Sequence, residues 1–189
     1  GRAGDAPATH LAQQLEQLGI AGGRFKTGTP PRIDGRSVDF RGLQLQPSEI
    51  EDFDFSWSHF WDAPRRAGGR TRHPGQMPCW ITYAGPAARK IIADNLHRSA
   101  MYGGAIGSRG PRYCPSVEDK VVKFPSVERH QLFLEPEGQD TAELYVNGLS
   151  TSLPAEVQIE MLHAVPGLEH ARMTRAGYAI EYDYFDPTQ

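Results

Sequence analysis

The sequence is poor in cysteine, in long apolar runs and in the compact signatures of common nucleotide and hydrolase sites. Each shortage removes a class of protein. Only Cys79 and Cys114 occur in 189 residues, too few for a disulfide scaffold and at a spacing that suits no zinc site. Both are expected as free thiols. No apolar run approaches the roughly 20 residues that cross a bilayer, and no basic-then-apolar leader opens the chain. A cytoplasmic protein without membrane association is the expectation. The seven histidines do not fall at metal-ligand spacing, so no metal site is expected. There is no Walker phosphate loop, no nucleophile elbow and no glycine-rich strand-to-helix fingerprint. Internal repeats and low-complexity tracts are also missing.

What is present is a globular mixture, 39% hydrophobic and 23% charged, long enough for one sizeable core or two small ones. Its 20 glycines and 15 prolines imply much loop and turn. A net charge of −3 excludes a uniformly basic nucleic-acid binder, but the charge is uneven. Arg65, Arg66, Arg70, Arg72 and His73 face a single Asp62, directly after the acidic stretch from Glu49 to Asp54. This basic stretch reads either as a solvated surface loop or as a weak RNA-binding loop that meets phosphates. The chain opens on Gly1-Arg2-Ala3-Gly4-Asp5 without an initiator methionine and stops just after a strand-like run. Such ends look like those of a segment cut from a longer protein.

Leu11, Leu15 and Leu18 recur at helical spacing between Thr9, a plausible cap, and Gly19, which predicts a helix over 10–18. Arg24 to Thr29 reads as a short strand entering Thr29-Pro30-Pro31-Arg32, where two prolines enforce extended backbone. From Asp39 to Met77 no period is sustained, although Phe53, Phe55 and Trp57 alternate as in a half-buried strand. Met77 to Tyr83 reads as a strand, and Pro86 starts a helix whose apolar face is Ala88, Ile91, Ile92 and Leu96. Four glycines make 101–113 a loop. Val121–Phe124 and His130–Glu135 are expected as a strand pair. A helix over 154–164 should bury Val157, Met161 and Val165. Tyr178, Ile180, Tyr182 and Tyr184 predict a strand with one apolar face. Interspersed strands and helices point to a mixed α/β (α+β) fold rather than a βαβ series.

The densest chemical segment is Gly110-Pro111-Arg112-Tyr113-Cys114-Pro115-Ser116, continuing through Val117-Glu118-Asp119-Lys120. Prolines hold Cys114 in rigid backbone, and Arg112 and Lys120 favour its thiolate if the chain folds them toward it. The alternative is a buried, inert thiol. Phe133-Leu134-Glu135-Pro136-Glu137-Gly138 places two carboxylates about a proline, suited to a basic partner or to a solvated turn. Lys26-Thr27-Gly28-Thr29 suits an anion or a flavin edge, and equally an ordinary strand-to-turn junction.

Those blocks, with Gly1-Arg2-Ala3-Gly4-Asp5, Lys26 through Asp34, Pro78-Cys79-Trp80-Ile81-Thr82, Asn147 through Pro154 and Gly177 through Pro187, occur in one order over nearly the whole chain. In that order they resemble the MnmG (GidA) family of bacterial tRNA uridine-modifying flavoenzymes. The resemblance implies a glutathione-reductase-like FAD-binding domain with an inserted substrate domain. On that basis 1–35 belongs to the FAD-binding domain, 36–109 to the inserted domain, and 110–189 to a nucleotide segment with strands returning to the FAD-binding domain. It also implies a homodimeric enzyme that works with the GTPase MnmE as a heterotetramer on tRNA. Such an enzyme adds an aminomethyl or carboxymethylaminomethyl group at C5 of the wobble uridine, using FAD, NADH and methylene-tetrahydrofolate. Cys114 matches the family's candidate catalytic cysteine. Gly110 through Lys120, continuing over Val121, Val122, Lys123 and Phe124, matches its NAD segment. Arg2, Gly4, Asp5 and Ala8 match weak flavin contacts, Ala8 standing where the family commonly has serine. The segment is expected to be inactive alone, because the main flavin motif is not in it. Competing readings are a folate- and FAD-dependent tRNA uridine methyltransferase relative and a non-catalytic RNA- or nucleotide-binding module.

If the basic stretch meets phosphates, replacing Arg65, Arg66, Arg70 and Arg72 by alanine flattens the salt dependence of RNA binding. A filter-binding series against salt checks this, and unchanged slopes would move the RNA site elsewhere.

Overall fold

The computed structural model describes residues 3–48, 76–111 and 113–188. The alternating aromatics at Phe53–Trp57, the four loop arginines, Arg2 and Arg112 lie outside the described residues. The elements run α1 (Thr9–Gln17), β1 (Gly22–Gly28), β2 (Arg32–Asp34), β3 (Gln44–Gln46), β4 (Cys79–Ala84) and α2 (Pro86–Asn95). They continue with α3 (Val117–Lys123), β5 (His130–Pro136), β6 (Glu143–Asn147), α4 (Ala155–His163), β7 (Met173–Arg175) and β8 (Ala179–Phe185). The fold is a mixed α/β arrangement of antiparallel sheets and short helices.

A six-stranded sheet in the order β3-β4-β5-β6-β2-β7 carries the core. Alternate residues of its strands, Ile33, Leu132, Leu134, Leu144 and Val146, point to one face. There they meet Ala88 and Ile92 of α2, Val117 and Val121 of α3, and Val157, Met161 and Leu162 of α4. The helices therefore form one layer on one side of the sheet. α2 begins with Pro86 in its first turn, as that residue's fixed φ allows. α4 ends where Val165, Pro166 and Gly167 stop it, Gly167 taking φ +82°.

A second sheet is a two-stranded ribbon, β1 against β8, running from Gly22↔Phe185 to Gly28↔Ala179. Here the expected apolar face of 178–184 is not a core face. Tyr182 and Tyr184 remain exposed and pack instead against Phe25 across the ribbon, with ring centroids at 6.0 and 4.9 Å. α1 lies beside this ribbon and buries none of its own residues. Its cap is the Ala8 backbone rather than the Thr9 hydroxyl, and no side chain caps it.

The expected strand at Val121–Phe124 is a correction, because those residues finish α3 or follow it. β-branched Val121 and Val122 favour strand, but a capping box outweighs them. Ser116 accepts from the Asp119 amide at 3.1 Å while Asp119 accepts from the Ser116 amide at 3.2 Å. Acidic residues in the first turn and lysines in the last also suit the helix dipole. β5 pairs with β4 and β6. β3 pairs with β4 through Gln44↔Ile81 and lies in a stretch where no period was readable.

Asp34 pins the end of β2. It accepts from the Arg36 amide and side chain at 2.8–3.0 Å and from Arg172 Nη2 at 2.5 Å. The Arg36 hydrogen bonds, more than the charges of Arg36 and Arg172, hold its carboxyl well below the usual carboxylate range against the opposing effect of burial. A depressed folded-state value means that this contribution is fully present above about pH 4 and lost as pH falls through the folded value. Asp34→Asn should lower the melting temperature at neutral pH and flatten its decline on acidification. Parallel acid profiles in the two proteins would show that Asp34 does not carry this dependence.

Candidate functional site

The ribbon and the large sheet meet beside Cys114. Extended backbone after the glycine-rich loop runs along the free edge of β1, with a parallel bridge between Phe25 and Arg109 and the Lys26 amide donating to Arg109 O at 3.0 Å. Alternation along β1 sends Lys26 and Thr27 in opposite directions. Lys26 Nζ donates to the carbonyls of Met101 and Ile106 at 2.8 and 3.0 Å, so this cation stabilises the loop's own backbone. Thr27 Oγ1 lies 3.1 Å from Cys114 Sγ and donates to Cys114 O at 3.2 Å. Cys114 is exposed. It is thus a reachable thiol with a hydroxyl partner.

Lys120, one helical turn into α3, donates to Gly148 O at 2.9 Å. Burial pushes its ammonium below the ordinary lysine value, while the negative charge of an ionised Cys114 acts in the opposite direction. The two groups are therefore electrostatic neighbours. Cys79 is different. It is half-buried on β4, and burial first, then Glu135, pushes its thiol up.

The expected nicotinamide segment splits in two. Gly110, Pro111, Asp119 and Lys123 rim a cleft of about 700 Å³ with Lys26, Tyr102 and Arg109. On its wall the Tyr102 hydroxyl donates to Asp119 at 3.0 Å, and Lys123 pairs with Asp119 at 2.8 Å. Burial first, and then this carboxylate, raises the Tyr102 phenol. Tyr113, Val122 and Phe124 expose their side chains. Ser116, Val117, Glu118 and Val121 turn theirs inward.

Glu118 is fully buried. Its Oε1 accepts from Ser99 Oγ at 3.0 Å, Thr151 Oγ1 at 3.0 Å, the Ser152 amide at 2.9 Å and Ser152 Oγ at 3.4 Å. Its Oε2 is buried and has no hydrogen-bond partner among the described residues. Sequence reasoning missed this network, because its members come from three separate segments and no spacing relates them. The carboxylates about Pro136 also resolve. Glu137 binds Arg32 Nε at 3.0 Å, Arg32 lies over the Tyr145 ring at 4.8 Å, and Glu135 accepts from Asn147 Nδ2 at 2.7 Å. The basic partner of Glu137 is in its own chain.

Of the residues expected at a flavin, Gly4 and Asp5 are exposed, and Ala8 offers only backbone at the start of α1. Among the described residues, no group of three or more His, Cys, Asp or Glu side chains is placed to hold a metal ion. No described helix is long and apolar enough to cross a membrane.

The sequence profile of the family described as Glucose inhibited division protein A matches residues 1–189. The chain belongs to the GidA family. Its structure is similar to Aquifex aeolicus GidA in crystal form I, with a TM-score of 0.76 and 50% identity over 94% of this chain and 29% of that one. For crystal form II the TM-score is 0.74 and the identity 48%, over 94% of this chain and 27% of that one. This chain therefore spans less than a third of the length of these GidA structures.

Glycine is required where the end of β1 meets the loop between β6 and α4. A Cβ on Gly28 would lie 2.8 Å from Thr151 N and 3.1 Å from Thr151 O, both backbone atoms. Gly28→Ala should destabilise by about 1–3 kcal/mol, the cost of overpacking, and should disturb the Thr27–Cys114 contact. Denaturant titration measures the first effect, and an unchanged midpoint would mean that the two backbones separate freely.

Proposed function

We propose that this chain is part of an FAD-dependent enzyme that modifies C5 of a tRNA uridine, with Cys114 as its nucleophile. The observation that carries the reading is the exposed Cys114 thiol, hydrogen-bonded to Thr27, in a chain that belongs to the GidA family. C5 of uracil is a weak nucleophile. When a thiolate adds at C6, the S–C6 bond forms and the C5–C6 π pair moves onto the C4 carbonyl as an enolate. C5 then attacks an electrophilic one-carbon unit, loses its proton to a base, and the C6–S bond breaks to return the thiolate. While the sulfur carries negative charge, the Thr27 hydroxyl, which lies 3.1 Å from it, turns its one proton from Cys114 O to the sulfur.

In this reading the flavin, bound chiefly by parts of the enzyme outside this chain, supplies redox chemistry. Methylene-tetrahydrofolate supplies the carbon, the wobble uridine is the target, and MnmE is the partner of a dimeric GidA. The cleft rimmed by Tyr102, Arg109 and Lys123 supports NADH as a further ligand, since cations beside an aromatic ring suit a nucleotide. The ribbon with its N-terminal helix goes with the FAD-binding domain, and 36–109 with the inserted substrate domain.

In the full-length enzyme, Cys114→Ser should abolish modification while flavin content and tRNA affinity stay near normal, since a hydroxyl keeps the size and loses the nucleophile. Cys79→Ser should be far milder. Nucleoside analysis of tRNA with each variant checks both. A folded, flavin-loaded Cys114→Ser enzyme that modifies at the normal rate would exclude the covalent role.

A further inference from the structure

Glu118 stands four residues after Cys114 and points away from it, into the protein. Its environment is unusual for a carboxylate. All four described groups that donate to Oε1 are uncharged, and the other oxygen is buried with no hydrogen-bond partner among the described residues. Burying an acid in this way is costly. A simple packing role would be served by an apolar side chain.

The hydrogen bonds around it close a ring. From Cys114, the contact to Thr27 leads onto β1. At the end of β1, Thr29 O accepts from the Thr151 amide at 3.1 Å. The Thr151 hydroxyl then donates to Glu118, and the chain runs back from the first turn of α3 through its cap Ser116 and Pro115 to Cys114. The Val117 amide donates to Ser150 O at 2.7 Å and ties the helix start to the same loop. A third segment joins through Ser99, whose hydroxyl binds Glu118 and contacts Ser152 Oγ at 2.8 Å. The Met101 amide also donates to Ser152 Oγ, at 3.1 Å. Glu118 hydrogen-bonds to Ser99 and to Thr151 at once, beside the direct contacts of Ser152 with the Ser99 segment.

We propose that Glu118 is a positioning residue for Cys114, its buried carboxylate gathering Ser99, Thr151 and Ser152 so that β1 holds the Thr27 hydroxyl on the Cys114 sulfur. The assignment deepens the reading of Cys114 as nucleophile and rests on it for its functional meaning. Its physical content is the geometry alone.

The test measures alkylation of Cys114 by iodoacetamide across neutral pH in the intact chain, followed by mass spectrometry of the Cys114 peptide so that Cys79 is scored separately. Sulfur displaces iodide in this probe reaction, and only the thiolate reacts at a useful rate. Thr27→Val removes the hydroxyl partner and should slow Cys114 by about fivefold, the factor one ordinary hydrogen bond is worth. Glu118→Ala should slow it as much, and the double variant should be no slower than either single one. Glu118→Gln keeps an acceptor oxygen for the same donors and should restore the wild-type rate.

Two outcomes overturn the proposal: a folded Glu118→Ala protein that alkylates normally while Thr27→Val is slow, or full additivity in the double variant. Should Glu118→Ala fail to fold, Thr151→Val decides, because it cuts the ring at the next link with almost no change in volume. A wild-type rate in Thr151→Val sinks the idea. No tRNA enters these measurements, so they stand whether or not Cys114 proves to be the nucleophile in the enzyme.

Discussion

Everything near the candidate site depends on one crossing of backbones at Thr29. There the chain leaves the ribbon for the large sheet. The Thr29 amide donates to Tyr178 O at 2.8 Å, its hydroxyl accepts from the Tyr178 amide at 3.0 Å, and its carbonyl accepts from the Thr151 amide. Space at this point is so restricted that a Cβ on Gly177 would sit 2.3 Å from Thr29 O. Gln158, buried on α4, holds both the amide and the carbonyl of Gly177 together with Leu153 O. Pro30 and Pro31 then keep the chain extended until it resumes as β2. With both sheets fixed to this crossing, Thr27 and Cys114 come into contact although 87 residues separate them.

The site has a division of labour that follows from alternation along β1. One side chain, Lys26, is committed to the loop carbonyls of Met101 and Ile106. The next, Thr27, is presented to the cysteine. Within the loop, glycine is needed for space at Gly103, whereas a Cβ on Gly104 or Gly107 would meet no described atom within 4 Å. Gly103 would place a Cβ 2.6 Å from His97 O. α3 carries two kinds of surface. Asp119 and Lys123 line the cleft, and Val117, Glu118 and Val121 anchor the helix inside. A run of residues that reads as one nucleotide segment is thus a wall on one side and a foundation on the other.

Much of this was legible where a local rule governs. Pro86 with Ala88 and Ile92, the break at Pro166-Gly167, and the glycines of 101–113 each follow from side-chain or backbone chemistry within a few residues, and the structure agrees. Val121 and Val122 misled because β-branching is a weak preference and the Ser116–Asp119 box is a specific pair of hydrogen bonds. Tyr182 and Tyr184 alternate as a core strand does, yet their strand pairs only with β1, and its apolar partners are the residues of a ribbon. The neighbours of Cys114 left a reactive and a buried, inert thiol both open, and the structure leaves the thiol exposed. Thr27 as its partner, and Ser99, Thr151 and Ser152 as the donors to Glu118, were not legible, because tertiary folding alone brings them together.

α1 is nine residues long, has no side-chain cap and buries none of its side chains, and an isolated helix of that length is marginal in water. Among the described residues, the ribbon beside it has no second layer comparable to the helices that cover the large sheet. Stability in this chain is therefore graded: the six-stranded sheet with its helices forms one cooperative unit, and α1 with the outer ribbon is a weaker one. Amide exchange would sort the residues by how far they lie from Thr29 rather than by their order along the chain.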